Sequence, residues 1–334
     1  MLRVPFEDLH SALERAMLRL GLTPDRAHLC ARLFAETTRD GVYSHGLNRF
    51  PRFRAMVENG SIDVNATPTL TTAFGAIERW NGNRGVGNLN AYASMEHAID
   101  LARKNGIGTL ALANTNHWMR GGAFGWQAAD AGMFAICWSN TLANLPAWGA
   151  KTPTLGNTPL VIAIPRANGQ HVVLDIAMSQ FSYGALSSYA KRVESLPVPG
   201  GYDSTGHLTQ DAAAIESSQR ALPIGYWKGS GLSLVLDMIG AMLSGGLATH
   251  QLGSDPLREA GQSQIFLAID PSNLATTEEL SRIADEILDN LHHATPVDPA
   301  KPVRYPGEQT LHVREENMRL GVPVDPDLWR QITL

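Results

Sequence analysis

A serine, a histidine and two arginines stand close together in the stretch YSHGLNRFPR, from Tyr43 to Arg52. Imidazole has an unperturbed pKa of about 6.5, so His45 could give a proton to an alkoxide near neutral pH. Arg49 could grip a carboxylate with its planar guanidinium group, and Ser44 could hydrogen-bond a carbonyl or alcohol oxygen. Together these groups suit the reduction of a keto acid. The plainer alternative is a helix-face histidine beside a surface arginine.

A second histidine occurs in NTNHWMRGG, directly after a predicted strand. His117 would then lie at the carboxyl end of that strand, where α/β sheets bind ligands. Arg120 follows three residues later and is a candidate for contacts with substrate oxygens. Residues 43–60 are predicted to form a helix that is broken near residue 51. In such a helix His45 and Arg49 would share one face.

Two further stretches carry charged groups in apolar surroundings. LDIAMSQ places Asp175 in an apolar strand, and a carboxylate there must be paired or functional because burying it alone is costly. We expect it to orient the proton donor or a water, and a salt-bridged core aspartate is the alternative. In GYWKGSG, residues 229–231 are predicted to open an apolar helix after Lys228, which would suit a pyrophosphate. A capped core helix beside an exposed lysine fits the same pattern.

Standard cofactor and metal motifs are missing from the sequence. The glycines of GNRGVGN, residues 82–88, stand in the wrong order for a Rossmann fingerprint, so a dinucleotide would need another architecture. That stretch is predicted to be a loop before a helix. The eleven histidines form no H-x-x-x-H or H-E-x-x-H pair, so no metal site is expected.

The bulk composition excludes several classes of protein. The chain has 334 residues, 44% of them hydrophobic, and a net charge of −5, which disfavours a nucleic-acid partner. The longest apolar run, residues 232–243, contains Asp237 and falls short of the roughly 20 residues that span a bilayer. Cys30 and Cys137 form no disulfide or metal pattern. Without a visible targeting segment, we expect a cytoplasmic protein that is not bound to a membrane.

The predicted elements indicate an α/β fold with a mixed sheet and flanking helices. Helices dominate to about residue 60, and a polar, turn-rich stretch suggests a boundary near residue 75. Strands and helices then alternate, with a hairpin whose turn contains Asn168 and Gly169. The Pro-rich end of the chain is predicted to finish in a short helix that packs on the body. We therefore predict a helical domain of residues 1–75 with 296–334, and a mixed-sheet domain of residues 76–295.

Several stretches together resemble the malate/L-lactate dehydrogenase family of non-Rossmann NAD(P)-dependent oxidoreductases. They are GVYSHGLNRFPRF, NHWMRGGAFGWQAA, CWSNTLANLPAWGAK, GNTPLVIAIP, AMSQFSYG and LPIGYWKGSGLSLVLDMI. The resemblance runs almost from end to end. S-H-G-x-x-R and N-H-W mark the whole family, whereas M-R-G-G with G-Y-W-K-G-S-G points to a branch that reduces a diketo sugar acid. The fold that it implies has a helical domain and a mixed-sheet domain, not a doubly wound sheet.

The resemblance also implies roles for particular residues. His45 takes the position of the proton donor, Ser44 and Arg49 that of the substrate-binding motif, and His117 lines the same pocket. A homodimer is implied, with the cofactor near the subunit interface, and we expect NADH to be preferred over NADPH. The implied dinucleotide contacts are Leu174, Asp175, Ile176, Ala177, Met178, Ser179, Gln180, Trp227, Lys228, Gly307, Glu308 and Gln309.

Departures from the family pattern concern the substrate more than the reaction. This chain reads GNTPL where relatives usually read G-T-N-P-L, and Gln180 stands where a methionine precedes the phenylalanine. We expect NAD(P)H-dependent reduction of a 2-keto or 2,3-diketo sugar acid. Malate, lactate, ureidoglycolate or a cyclic imino acid would keep the chemistry and change the substrate. Two rivals differ in class: a non-catalytic sugar-acid binding protein, and an isomerase or lyase that uses His45 and His117 as an acid–base pair.

Overall fold

The computed structural model describes residues 2–333, which form helices packed on both faces of a central sheet. The helices are α1 (Phe6–Arg19), α2 (Pro24–Arg39), α3 (Phe50–Glu58), α4 (Gly87–Asn105), α5 (Gly122–Asp130), α6 (Tyr183–Arg192), α7 (Ala212–Ser218), α8 (Trp227–Ser244), α9 (Thr277–His292), α10 (Glu308–Leu320) and α11 (Pro326–Thr333). The strands are β1 (Leu2–Val4), β2 (Thr69–Phe74), β3 (Ile77–Asn81), β4 (Ile107–Asn116), β5 (Phe134–Ser139), β6 (Ala143–Pro146), β7 (Pro153–Gly156), β8 (Leu160–Ile164), β9 (Val172–Ile176), β10 (Gly201–Tyr202), β11 (Leu208–Thr209), β12 (Ala260–Ile269) and β13 (Val322–Val324).

The central sheet has seven strands in the order β2-β3-β4-β12-β5-β8-β9. β3 runs parallel to β4, and the other neighbouring pairs are antiparallel. β4 and β12 lie in the middle, and most of their residues are buried, including the polar Gln262, Ser263 and Gln264 of β12. Helices α4 and α5 cover one face, and α8 packs on the other. The predicted mixed-sheet α/β fold is therefore confirmed.

A separate hydrophobic core joins the two ends of the chain. The predicted apolar stripe of α1, which includes Leu9, Leu13 and Met17, is fully buried against α2 and α3. β1 pairs antiparallel with β13, and α11 packs on the same core. The division into two domains stays a prediction. Its boundary near residue 75 leaves β2 with the helical part, whereas β2 forms the outer strand of the sheet.

The predicted helix over residues 43–60 is wrong in its first half. Two 3₁₀ turns, Tyr43–His45 and Leu47–Arg49, precede α3. Gly46 separates them because its backbone leaves the helical region and lies against the end of α2: a Cβ there would stand 2.3 Å from the Thr38 hydroxyl oxygen. His45 and Arg49 therefore do not share the face of one α-helix.

Two other helices differ from their predicted bounds. α8 begins at Trp227 rather than at residue 230, so residues 229 and 230 are buried within its first turn. α10 was not predicted, because its sequence EQTLHVREENMRL has no regular apolar stripe and buries only Asn317. The Asn168–Gly169 turn joins β8 to β9 as expected. No helix among residues 2–333 is both long and apolar enough to cross a membrane.

The GNRGVGN stretch forms the predicted loop before a helix, and its last glycine opens α4. A Cβ on Gly87 would lie 2.2 Å from the carbonyl oxygen of His117 and 2.4 Å from that of Asn116. The first turn of α4 can therefore lie directly on the backbone that carries His117. Only glycine allows this approach.

We expect Gly87→Ala to lower the free energy of unfolding by about 1–3 kcal/mol, because the new methyl group has no room. Gly231→Ala is a matched control: this residue is also a helical glycine, but a Cβ there meets nothing within 4 Å. That variant should be neutral or slightly more stable. Denaturant unfolding of both variants tests the difference, and equal stabilities would contradict the tight contact.

Candidate active site

The two singled-out histidines face each other between the helical part and the sheet. His45 comes from the first 3₁₀ turn and His117 from the segment after β4, and their rings stack 5.7 Å apart at 23°. Ser44 Oγ lies 2.9 Å from His45 Nδ1. His117 Nδ1 accepts a hydrogen bond from the N–H of Met119 at 3.0 Å, so in the neutral ring Nε2 carries the hydrogen. We call Ser44, His45, Arg49 and His117 the histidine site.

Three arginines give the histidine site a strong positive potential. Burial, together with the charges of Arg49, Arg120 and Arg52, lowers the pKa of His45 to about 4. Burial and Arg49 also hold the pKa of His117 well below its usual range. Both rings are therefore neutral at pH 7 in the free protein. The expectation that His45 is ready to donate a proton holds only if a bound anion offsets these charges.

Arg120 is bound to protein carboxylates, and its predicted role as a substrate contact stays a prediction. Its Nη1 donates to Asp40 at 2.7 Å, and its side chain is 5% exposed. Asp40 also accepts hydrogen bonds from Arg39 and from both Nε and Nη2 of Arg314. Burial alone would raise the pKa of Asp40, but the hydrogen bond from Arg314 and the charges of Arg120 and Arg39 hold it well below its usual range.

Asp175 contacts the first residue of α5 and not the proton donor. Its Oδ2 accepts a hydrogen bond from the N–H of Gly122 at 2.9 Å and lies 4.0 Å from Arg120 Nε. Burial raises the pKa of Asp175, although Arg120 and the Gly122 N–H oppose the rise, while 31% of the side chain still meets solvent. Asp175 makes no hydrogen bond to His45 among residues 2–333, and its alternative predicted role, the orienting of a water, stays a prediction. Ser44 makes the hydrogen bond to His45 instead.

The implied dinucleotide contacts in Leu174–Gln180 form the end of β9 and the loop after it. Asn157 holds this loop: its Oδ1 accepts the N–H of Ser179 at 2.9 Å, and its carbonyl oxygen accepts that of Met178 at 2.8 Å. Gln180 pairs through its N–H with the carbonyl oxygen of Leu222. In this chain the asparagine of GNTPL is therefore a support for the predicted cofactor loop.

The second group of implied contacts lies beside the loop after β9. The N–H of Ile224 bonds the Met178 carbonyl oxygen, which brings Trp227 and Lys228 beside the cofactor loop, and both side chains are exposed. The helix begins at Trp227, and the N–H groups of Gly229 and Ser230 already donate to the carbonyl oxygens of Ile224 and Tyr226, so these two residues offer no free N–H to the predicted anion site at residues 229–231. Ser230 Oγ accepts the N–H of Trp148 inside the protein.

Gly307, Glu308 and Gln309 begin α10 beside the outer edge of β9. The N–H of Val173 donates to the carbonyl oxygen of Pro306 at 2.9 Å, which seals this edge. The Glu308 carboxylate accepts the N–H of Tyr305 and contacts His292, and Gln309 is exposed. The three groups of predicted cofactor contacts thus lie along β9 and the loop after it, although they are far apart in sequence.

Several charged residues near the site have no role predicted from the sequence. Arg52 Nη2 lies 2.7 Å from Glu259 Oε2, and Arg49 Nη2 lies 3.6 Å from the same oxygen. Asp40 binds Arg120, and Arg314 binds Asp40. Glu259 and Arg314 gave no signal because they stand far along the chain from the arginines and the aspartate that they contact. Arg52 was visible beside the histidine motif but had no partner in sequence.

One group of potential metal ligands occurs in the described part of the chain. His10, Glu14 and His28 place ligand atoms within 4.8 Å of one another across α1 and α2. The residues are separated by 4 and 14 positions, so spacing alone could not find them. Glu14 forms ion-pair contacts with both histidines at 4.0 and 3.3 Å. The group lies on the helical part, away from the histidine site.

Comparison with known proteins shows the family to which the chain belongs. The model of the malate/L-lactate dehydrogenase family matches residues 4–333. The chain belongs to this family. A curated family relative from Citrobacter koseri, named 2,3-diketo-L-gulonate reductase, is 44% identical over 331 residues, 99% of both chains. A relative of the same name from Shigella boydii has the same identity and coverage.

Solved structures agree with the family's fold. The sulfolactate dehydrogenase from Methanocaldococcus jannaschii has a TM-score of 0.91 at 25% identity, covering 99% of this chain and 95% of that one. The delta1-piperideine-2-carboxylate reductase from Pseudomonas syringae has a TM-score of 0.89 at 26% identity, covering 100% and 99%. The chain is thus an oxidoreductase, and a dehydrogenase family implies a nicotinamide cofactor.

The low pKa of His45 predicts an acid-sensitive fold. The unfolded chain binds a proton at His45 below about pH 6.5, whereas the folded chain binds it only near pH 4, so stability falls as the pH drops through this window. We expect the melting temperature of His45→Gln to fall less between pH 7 and pH 5, by roughly 2 °C or more. His250→Gln, at an exposed position, is the control. Parallel losses in all three proteins would contradict the shift.

Proposed function

We propose that this protein reduces a 2-keto or 2,3-diketo sugar acid at the expense of NAD(P)H, most specifically 2,3-diketo-L-gulonate to 3-keto-L-gulonate. The observation that carries the proposal is the meeting of His45, His117 and Arg49 in one place. A proton donor beside a guanidinium group suits a carbonyl that stands next to a carboxylate. The name shared by the relatives at 44% identity supports the diketo sugar acid as the substrate.

In the proposed reaction Arg49 binds the substrate carboxylate. Burial and Arg52 lower the pKa of Arg49 to about 10, so it still carries its charge at pH 7. A carboxylate placed against Arg49 and Arg52 offsets the charges that repel a proton from His45. Substrate binding then raises the pKa of His45 towards neutrality, where an imidazole can donate effectively. The anion-dependent shift means that the donor becomes charged only when the substrate is present.

The proton then moves from His45 to the oxygen of the reacting carbonyl. Ser44, at 2.9 Å from Nδ1, holds the ring so that Nε2 can face the substrate. His117 presents its Nε2 hydrogen on the same side, where it can hydrogen-bond a second substrate oxygen. A diketo acid offers such an oxygen on the neighbouring carbon. This arrangement favours reduction at the carbon next to the carboxylate.

The residues around the end of β9 fit a dinucleotide. At the start of the 18-residue helix α8, an exposed lysine supplies a cation for a pyrophosphate, and an exposed tryptophan ring supplies a stacking surface for a base. When bound, the nicotinamide supplies the hydride for the reduction. We propose NADH as the preferred form, because Glu308 adds a carboxylate among the contacts and a carboxylate repels the 2′-phosphate of NADPH.

We propose that the protein works as a homodimer that is formed through α8. This helix is apolar almost all round, yet one side of it is uncovered in the single chain. Such a face normally packs on another protein surface. The exposed apolar residues are Leu234 (47%), Val235 (49%), Met238 (51%) and Met242 (71%). The cofactor contacts at Trp227 and Lys228 begin the same helix, so they would lie close to the interface.

The two free, buried cysteines fit a reducing cytoplasm.

His45→Ala should lower turnover by about 10²–10⁴-fold and change NADH affinity little, since it removes a proton donor and no cofactor contact. The assay follows NADH and NADPH oxidation with 2,3-diketo-L-gulonate, pyruvate, oxaloacetate and a cyclic imino acid. Cofactor affinity is measured by quenching of tryptophan fluorescence.

His250→Ala changes an exposed histidine outside the site and should keep normal turnover. Near-normal turnover in His45→Ala would exclude His45 as the donor. A wild-type protein that binds NADH without turning over any keto acid would favour a binding protein. Failure to bind either cofactor would favour an isomerase or lyase.

Met242→Asp should convert the dimer to a monomer, because it places a charge in the apolar face of α8. Val193→Asp changes a residue that is 92% exposed outside this face and should leave the dimer intact. Light scattering after size-exclusion chromatography gives both masses. A monomeric wild-type protein, or a dimer in Met242→Asp, would contradict the proposed interface.

A further inference from the structure

A buried carboxylate, Glu259, stands against the two arginines of the proposed substrate clamp. It lies just before β12 and is 4% exposed. Its Oε2 makes the 2.7 Å contact with Arg52 and the 3.6 Å contact with Arg49. Its Oε1 accepts a hydrogen bond from Nε2 of the buried Gln262 at 2.9 Å. Nothing in the proposed proton transfer uses this carboxylate.

The two arginines differ in how they contact Glu259. Arg52 is anchored, because its Nη2 donates directly to Glu259. Arg49 is 3.6 Å away, too far for a hydrogen bond, and its guanidinium group makes none with any residue among 2–333. Glu259 therefore keeps Arg52 still and draws Arg49 electrostatically, while the N–H groups of Arg49 stay free for a ligand.

The carboxylate also fixes the charge that a substrate meets. Two guanidinium groups and one carboxylate give this cluster a net charge of +1. A substrate with one carboxylate brings the cluster to zero. A second carboxylate would leave one negative charge on this cluster, because the proton on His45 that could balance it is given up in the reaction, and uncompensated buried charge is costly.

We propose that Glu259 is a specificity-determining residue that makes the site select keto acids with one carboxylate over those with two. The inference rests on the proposed function, since it takes Arg49 to be the carboxylate clamp. A sugar acid and lactate satisfy the rule, whereas malate and oxaloacetate break it. Glu259 acts through Arg49 and Arg52 and is a positioning residue for them.

The test compares two ligands that differ by one carboxylate, glycolate and tartronate. Their affinities for the wild-type protein with NADH are measured by thermal-shift titration, beside the rates with pyruvate and oxaloacetate. Glu259→Gln removes the negative charge and keeps the shape. It should shift the tartronate-to-glycolate affinity ratio, and the oxaloacetate-to-pyruvate ratio of kcat/KM, towards the dicarboxylate by on the order of tenfold.

Three further variants separate charge from structure. Glu259→Asp keeps the charge and should keep the wild-type ratios. Arg52→Gln removes a positive charge and should move the ratios against the dicarboxylate, which tests the rule even if Glu259→Gln does not fold. Glu58→Gln removes an exposed carboxylate that pairs with Arg54 on α3 and should change nothing.

The outcomes distinguish the two proposals. If Glu259→Gln weakens both ligands equally, or Arg52→Gln leaves the ratio unchanged, Glu259 is only structural and the inference is overturned. If the wild-type protein turns over no keto acid, the proposed function fails, while the binding ratios still decide the role of Glu259. A tenfold shift in binding without turnover would retain a one-carboxylate selection rule for a binding protein.

Discussion

The site depends on the hydrogen bonds that the buried carboxylate of Asp40 accepts. It accepts hydrogen bonds from Arg39 at the end of α2, from Arg120 after β4, and from Arg314 on α10. Removing one partner of such a cluster typically costs about 3–5 kcal/mol, because the remaining charges are left buried and unpaired. The three arginines belong to three different parts of the chain. Asp40 therefore ties the helical part, the sheet and the last helices together directly beside the histidines.

A second constraint is the excess of positive charge around His45. Burial and three guanidinium groups hold the ring neutral in the free protein, while carboxylates compensate the arginines at Asp40, Asp175 and Glu259. The site is thus prepared for an anion and not for a neutral ketone. In the proposed reaction the substrate supplies the last negative charge. Substrate binding therefore also raises the pKa of His45 and prepares it to donate a proton.

Much of this arrangement could be predicted from local sequence. The helices and the central-sheet strands from Ile77 to Ile164 follow apolar patterns and turn residues, whereas β6 and β7 were not predicted. The family motifs selected Ser44, His45 and His117. Predictions failed where a distant contact decides the local structure. Gly46 breaks the expected helix because it packs on Thr38 of α2. α10 has no apolar stripe to reveal it in the sequence, since polar contacts to Arg39 and Asp40 hold it in place. No local pattern could pair Glu259 with arginines some 200 positions earlier.

The contact between Arg314 and Asp40 spans 274 positions of the chain. During synthesis the first two helices, both histidines and the sheet leave the ribosome long before α10. Until then Asp40, the counter-charge of Arg120, lacks its hydrogen bonds from Arg314. The outer edge of β9 is also not yet covered by residues 305–307. Non-local contacts of this kind form late in folding because their loop-closure entropy must be met first. The nascent chain therefore carries the chemical groups of the site well before it has a working one.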